Sequence, residues 1–186
     1  MELSCEYLYY ESQKKSGKTP TCGSTLTSVL KALILSGQPT ETDWPYMKQL
    51  PSDISTWTPP STIGQRFGRD GRTVEYTVAS ICQSLDKKIP VLVLIKLSSS
   101  FYTPNEHGVI HPAEKEYPDI TQKHAVVAVG HGVIGNTKAI LVRNSWGSTW
   151  GIDGYAWLTE EFLNARLFAA AILTEYVDVS ANPAPA

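Results

Sequence analysis

The apolar residues in the first half of the chain recur every three or four positions, which is the spacing of amphipathic helices. This pattern predicts a first helix over residues 3–15, with Ser4 as a candidate cap, which ends at Gly17. It predicts a second and more apolar helix, which Ser24 or Thr25 caps and which ends in a left-handed turn at Gly37. The first half is therefore predicted to be mainly helical.

The second half changes to short, β-branched apolar runs that are typical of strands. Residues 38–65 contain five prolines and predict an irregular connection, and a third helix is predicted over residues 78–88. The predicted strands cover residues 91–95, 124–130, 139–143, 155–158 and 167–177, with one helical turn after Thr159.

These elements predict an α+β fold with two lobes. The mainly helical lobe covers residues 1–89, and the mainly β lobe, a barrel-like antiparallel sheet, covers residues 90–178. Both belong to one domain over residues 1–178, because 186 residues with 42% hydrophobic side chains can build one core or two small ones. The proline- and alanine-rich tail over residues 179–186 is predicted to be disordered.

Composition and charge argue against several classes of function. A net charge of −2 and short lysine patches offer no basic surface for nucleic acid. No apolar run approaches the length of a membrane span, and the first residues lack the basic and apolar regions of a signal peptide. Three cysteines cannot form a full set of disulfides, and free thiols favour a reducing compartment, so a cytoplasmic location is expected.

The sequence predicts neither a metal nor another cofactor. The cysteines lack the C-x-x-C spacing of a zinc site. His107 and His111 stand four residues apart in a proline-containing loop and do not make a credible pair of metal ligands. His131, just after a predicted strand, is expected to be a turn residue.

His124 and Asn144 stand out because they are polar residues at the ends of predicted strands. If those strands pair as neighbours, both side chains can lie at the same end of the sheet. The asparagine oxygen can then accept from one imidazole nitrogen and leave the other facing a nucleophile. Such a neutral orienting group suffices in a thiol site, which works as a thiolate–imidazolium pair. The alternative is an ordinary hydrogen-bonded core histidine.

The tryptophans and glycines after Asn144 favour the catalytic interpretation. Trp146 could shield the Asn–His bond from water, and the glycines allow a tight turn. The strings N-S-W-G-S-T-W-G over residues 144–151 and K-H-A-V over residues 123–126 resemble the asparagine and histidine signatures of papain-like cysteine peptidases. The resemblance covers nearly the whole chain and is to prokaryotic-type members, through the string L-S-C-E-Y-L-Y-Y over residues 3–10.

The resemblance implies a papain-like two-lobe fold and hydrolysis of a peptide or protein substrate without a cofactor. His124 would be the general base and later the general acid, and Asn144 would orient it. The residues implied to support the site are Trp146, Gly147 and Trp150, and those implied to bind substrate are Gly23, Ser24 and Ala125.

The resemblance also implies two residues that this chain lacks. Family members place the nucleophilic cysteine at the start of a long helix, with an oxyanion-hole glutamine shortly before it, upstream of the segment that begins here at Leu3. Cys5 and Cys82 are expected to be structural, and Cys22, near a helix N-terminus, is the best candidate for a reactive thiol. We therefore expect no turnover by this chain alone.

Three functions are open at this point. In the first, the chain is the C-terminal portion of an active cysteine peptidase, and an upstream segment or a second chain supplies the nucleophile helix. In the second, a pseudopeptidase keeps the cleft to bind peptides or a partner protein. The third is an acyltransferase in which an amine replaces water at a thiol–His–Asn site.

Overall fold

The computed structural model describes residues 1–180, so the predicted disordered tail lies almost wholly outside the described residues. Val179, where that predicted tail begins, is buried. The helices and strands in chain order are α1 (Cys5–Ser16), α2 (Leu26–Leu35), β1 (Gly68–Val74), α3 (Val78–Asp86), β2 (Val91–Lys96), α4 (Ser99–Tyr102), β3 (Val109–Ile110), β4 (Lys123–Ile134), β5 (Thr137–Arg143), β6 (Tyr155–Thr159), α5 (Glu160–Asn164) and β7 (Leu167–Val177), with one 3-10 turn at Ile54–Thr56.

The described chain forms two compact units. The first comprises residues 1–72 and the described residues from Thr174 onward, and it contains α1 and α2. The second comprises residues 73–173 and contains the helices α3, α4 and α5.

The caps of the first two helices confirm the sequence prediction. The Ser4 hydroxyl accepts from an N–H of the first turn of α1, and Gly17 ends that helix with φ 63°. Thr25, the second of the two predicted caps, forms a reciprocal capping box with Ser28 at the start of α2. Gly37 follows α2 with φ 66°, the left-handed conformation that glycine adopts without strain.

Glu6 on α1 bonds to the irregular connection over residues 38–65 and holds it against the core of the first unit. Its carboxylate accepts from the Trp57 indole N–H at 2.6 Å and from the Met47 backbone N–H at 3.1 Å. Trp57 is buried together with Tyr7 and Trp44 in one aromatic cluster. The proline-rich segment is therefore irregular in backbone yet fixed by buried side chains.

In the second unit the strands lie in the order β7-β2-β4-β5-β6-β3. All neighbours are antiparallel except β3 and β6, which are parallel. In the first unit, Gly68 of β1 lies against the backbone of Val177 in β7. The α+β class is confirmed, and the mostly antiparallel sheet is open rather than closed into a barrel.

The core of the second unit lies between one face of this sheet and the helices α3 and α5. Alternate residues of β2 are buried, as period-2 patterning requires, and Phe101 of α4 joins the same core. The largest fully buried apolar side chains here are Phe101, Phe162, Ile81, Ile95, Ile110, Ile140, Leu158 and Leu163.

Strands β4 and β5 are longer than predicted. They reach Ile134 and Thr137 and are joined by a tight turn in which Gly135 has φ 59°. His131 therefore lies within β4, where its Nε2 stands 2.8 Å from Asp86 Oδ1, and its prediction as a turn residue is wrong. Glycines are unfavourable inside strands, so the glycines on both sides of His131 did not indicate that the strand continues here.

Besides the 3-10 turn, three elements were not predicted from sequence. Strand β1 reads G-R-D-G-R-T-V and is mostly exposed. Its sequence has no alternation of apolar and polar residues, so no strand was predicted there. Helix α4 has four residues and β3 has two, which is too few for either period to be recognised.

A buried ion pair lies beneath α4 in the second unit. Arg166 and Glu116 meet at 3.1 Å, with side chains 1% and 7% exposed. Burial alone would raise the pKa of Glu116. Hydrogen bonds from the Ser100 hydroxyl and N–H and from the Ala113 N–H, together with the Arg166 charge, outweigh burial and lower that pKa to about 2.

The pH dependence of unfolding tests this pair. A glutamate whose pKa falls from 4.5 to about 2 on folding contributes stability that is complete above the unfolded value and is lost as the pH falls toward the folded one. A shift of this size corresponds to at most about 3 kcal/mol. The gap in unfolding free energy between wild type and Glu116→Gln, measured by denaturant titration, should therefore shrink by up to that amount on acidification. A gap that is independent of pH would contradict the assignment.

Candidate active site

The pairing of β4 with β5 brings His124 next to Asn144. His124 is the second residue of β4, and Asn144 directly follows the last residue of β5. Because the strands are antiparallel and Val127 pairs with Arg143, the start of β4 lies beside the end of β5. His124 Nε2 and Asn144 Oδ1 are 2.7 Å apart.

This contact fixes the imidazole in one tautomer. Asn144 Oδ1 also accepts from the Ser145 backbone N–H at 2.8 Å, so the oxygen, and not the amide nitrogen, faces this position. An oxygen acceptor requires a proton on His124 Nε2, which leaves Nδ1 as the basic nitrogen of the neutral ring. Asn144 is 7% exposed, so the bond is protected from water.

A glycine-rich turn holds Asn144 in place. The Asn144 backbone N–H donates to the Gly154 carbonyl at 2.9 Å, which closes the turn over residues 145–153. Gly147, Gly151 and Gly154 all have positive φ. A Cβ on Gly151 would lie 2.2 Å from the Tyr155 carbonyl oxygen, so this position requires glycine.

Four aromatic side chains, here called the aromatic wall, cover the His–Asn pair: Phe101, Tyr102, Trp146 and Trp150. The rings of Trp146 and Phe101 lie 4.7 and 5.7 Å from the imidazole, centroid to centroid. Tyr102 stacks on Trp146 at 5.4 Å, and the buried Trp150 donates its indole N–H to the Phe101 carbonyl at 2.9 Å. Of the two tryptophans singled out from sequence, the structure thus brings Trp146 to the histidine, and Trp150 packs behind it against Trp146 and Phe101.

Phe101 and Tyr102 were missed by sequence reasoning. They lie on α4, whose four residues carry no periodic signal. An adjacent pair of aromatic residues between serines and a Thr-Pro dipeptide was the only signal available. Tyr102, Trp146 and Trp150 also line a groove of about 480 Å³, together with Thr103, Pro104, Thr149 and Gly151.

The structure places the predicted substrate-binding residues on two different units. Ala125 is exposed on β4, directly after His124. Gly23 and Ser24 belong to the first unit, in the loop before α2. The Ser24 hydroxyl lies 2.6 Å from that of Ser12 and accepts from Gln13 Nε2 at 3.1 Å, so its side chain anchors the loop.

The three cysteines occupy unlike environments. Cys22 is exposed in the loop, three residues before the Thr25 cap, and its carbonyl accepts from Tyr9 and Gln13. Burial, with the charges of nearby glutamates, raises the pKa of Cys5, and burial likewise raises the pKa of Cys82 on α3. At neutral pH these two thiols are protonated and weakly nucleophilic.

Residues 1–180 contain no group of three histidine, cysteine or acidic side chains arranged to hold a metal ion. Within the same residues, every helix is too short or too polar to cross a bilayer.

Removing the asparagine side chain tests the tautomer assignment. In wild type, the neutral His124 ring should carry its proton on Nε2, and Asn144→Ala should raise the Nδ1–H fraction about fivefold because a hydrogen bond worth about 1 kcal/mol is lost. Imidazole ¹⁵N NMR measures both forms. Ser145→Ala is the matched control, because it keeps the backbone N–H that orients Asn144. An unchanged tautomer ratio in Asn144→Ala would contradict the assignment.

Comparison with known proteins identifies relatives over most of the chain. The family model described as "Papain family cysteine protease" matches residues 3–171. A cysteine protease of Blomia tropicalis is 28% identical over 160 residues, which are 84% of this chain and 45% of the relative. Mouse cathepsin F is 30% identical over 125 residues, 67% of this chain and 26% of the relative. The chain thus spans less than half the length of these curated relatives.

Solved structures share the fold. Xylellain, a cysteine protease from Xylella fastidiosa, has a TM-score of 0.70 at 21% identity and covers 92% of this chain and 69% of its own. The clostridial cysteine protease Cwp84 has a TM-score of 0.72 at 20% identity, over 95% of this chain and 47% of its own. With the family match over residues 3–171, the chain belongs to the papain family of cysteine proteases.

Proposed function

We propose that this chain carries the base and its orienter for a cysteine peptidase, and that an upstream segment or a second chain supplies the nucleophile. The observation that carries the proposal is the bond between His124 Nε2 and Asn144 Oδ1, which leaves Nδ1 free to take a proton from a thiol. Papain-like proteases act on peptide or protein substrates, so the reaction is hydrolysis of a peptide bond.

The proposed chemistry needs no negative charge behind the histidine. Nδ1 accepts the thiol proton, and the resulting thiolate attacks the peptide carbonyl. The imidazolium then donates that proton to the leaving amine, and His124 activates a water that releases the acyl group from sulfur. Asn144 keeps the ring oriented throughout, and the aromatic wall keeps water from competing for its oxygen.

Two groups of the reaction would come from outside this chain. The raised pKa values of Cys5 and Cys82 argue against either as the nucleophile. Cys22 remains an exposed thiol on the first unit, and we assign it no catalytic role. An oxyanion-hole side chain would also be supplied, a contribution of about 3 kcal/mol in acyl-transfer enzymes. The free thiols support a reducing compartment as the place of action.

An exposed apolar face on β4 supports the docking of a further segment. Ala125, Val127 and Val129 alternate along the strand after His124, on the face of the sheet opposite to the His124 side chain, and all three are exposed. The two valines are 37% and 40% exposed. Apolar side chains aligned in this way are typical of a contact surface. The family relatives have more than twice the matched length, so their chains contain segments that could fill this position.

Labelling with a thiol-reactive peptide epoxide tests the proposal. The isolated chain should show no labelling and no peptide hydrolysis. Co-expression with the segment encoded directly upstream of Met1 should give hydrolysis and labelling of a cysteine in that segment. His124→Ala should then lower kcat/KM by about 10²- to 10⁴-fold, the usual contribution of a general acid–base. His131→Ala, which changes another histidine of β4, should leave kcat/KM unchanged.

The competing outcomes are distinct. Labelling of Cys22 in the isolated chain would overturn the assignment of the nucleophile. Binding of a peptide without hydrolysis, with the upstream segment present, would establish the pseudopeptidase alternative. Faster aminolysis than hydrolysis of an ester substrate would establish the acyltransferase.

A further inference from the structure

Helix α4 carries half of the aromatic wall, yet its own sequence does little to hold it. It has four residues, Ser99–Tyr102, far fewer than an independently stable helix requires. Its N-cap, Ser98, makes no side-chain capping bond to the helix. The position of Phe101 and Tyr102 must therefore be set by contacts from elsewhere in the second unit.

The buried carboxylate of Glu116 holds the N-terminal side of α4. It accepts from the Ser100 backbone N–H at 2.7 Å and from the Ser100 hydroxyl. The same carboxylate accepts from the Ala113 N–H at 3.1 Å. Glu116 thus satisfies one of the N–H groups that a helix leaves unpaired in its first turn.

Arg166 fixes the carboxylate and also reaches α4 directly. Its Nη2 donates to Glu116 at 3.1 Å, and its Nε donates to the Ser98 hydroxyl at 2.8 Å. Its Nη1 donates to the Phe162 carbonyl at 3.0 Å, and the guanidinium lies 4.0 Å from the Phe162 ring centroid. The three nitrogens of one guanidinium therefore link α5, Glu116 and the residue before α4.

Phe101 connects this network to the histidine. Its ring lies 5.7 Å from the His124 ring and 5.4 Å from the Trp146 ring. Its carbonyl accepts the Trp150 indole N–H. A shift of α4 would move Phe101 and Tyr102 together, and with them the packing against the imidazole.

We propose that the buried Arg166–Glu116 pair is a positioning device that fixes α4, and through Phe101 the aromatic wall, against His124. Both are positioning residues for the site, and this role rests on the proposed peptidase function. A buried ion pair adds little stability over apolar side chains of the same volume. Here the pair acts by fixing orientation, because one carboxylate and one guanidinium together hold Ser98, Ser100 and Ala113 through directed hydrogen bonds.

Hydrogen exchange at two indole N–H groups of the isolated chain tests the proposal. The Trp150 indole N–H bonds to α4, whereas the Trp57 indole N–H bonds to Glu6 in the first unit. In Glu116→Gln, a single amide oxygen cannot serve four donors, so α4 opens more often. Exchange at Trp150 should accelerate about tenfold more than exchange at Trp57, which reports any loss of global stability. The His124 ring-proton resonances, which nearby aromatic rings shift, should move as well.

Two further variants make the result decisive. Ser100→Ala removes one donor and keeps the ion pair, so it should give the same changes to a smaller extent. It also serves as the test variant if Glu116→Gln does not fold. Glu11→Gln is the matched control, because Glu11 is a buried carboxylate that bonds to Lys15 and Ser36 within the first unit. It should leave Trp150 exchange and the His124 resonances unchanged.

An unchanged Trp150 exchange rate in both Glu116→Gln and Ser100→Ala would overturn the proposal. Equal acceleration at Trp57 and Trp150 would also overturn it, because that result indicates a loss of global stability only. Neither readout requires turnover, so the positioning role can fail while the peptidase function stands, and the reverse is equally possible.

Discussion

The antiparallel pairing of β4 with β5 is the constraint on which the site depends. Its register sets Val127 opposite Arg143, so the strand that begins near His124 lies beside the strand that ends before Asn144. A slip of one residue would turn His124 to the opposite face of the sheet. The buried side chains of both strands hold the register, since Val126, Ala128, Ile140 and Val142 are all at most 2% exposed. The geometry of the His124–Asn144 pair is thus a consequence of core packing.

The features of this structure that could be predicted from sequence are those set by residues close together in the chain. The caps at Ser4 and Thr25 and the histidine–asparagine strings depend on residues close together in the chain, and they were read correctly. Helix α4 was not, because it is stabilised by Glu116 and Arg166, which come from distant parts of the chain. The 2.7 Å bond at His124 could be anticipated only by assuming that two strands pair. Side chains that act through tertiary contacts leave no pattern in a single sequence.

The second unit uses two kinds of polar interaction for two tasks. At the His124–Asn144 pair the orienting group is neutral, so Asn144 fixes the ring without placing a charge beside it. Beneath α4 the interaction is ionic, with a Glu116 pKa of about 2, so it remains charged at neutral pH. A pair that stays charged can hold α4 in one position. A neutral hydrogen bond orients an imidazole ring without adding charge, as the proposed function requires.

The polarity of Asn144 also bears on whether the fold is kept for catalysis or for binding alone. Its side chain is buried, and burying an amide costs free energy unless its polar atoms are hydrogen-bonded. A binding surface formed by the groove beside Trp146 and Trp150 does not require an asparagine beneath His124, and an apolar residue there would avoid that cost. The bonds of Asn144 Oδ1 to His124 and to the Ser145 N–H offset this cost, and the first of them fixes the proton on Nε2. The bond to His124 therefore gives this asparagine a role that a binding groove alone does not require.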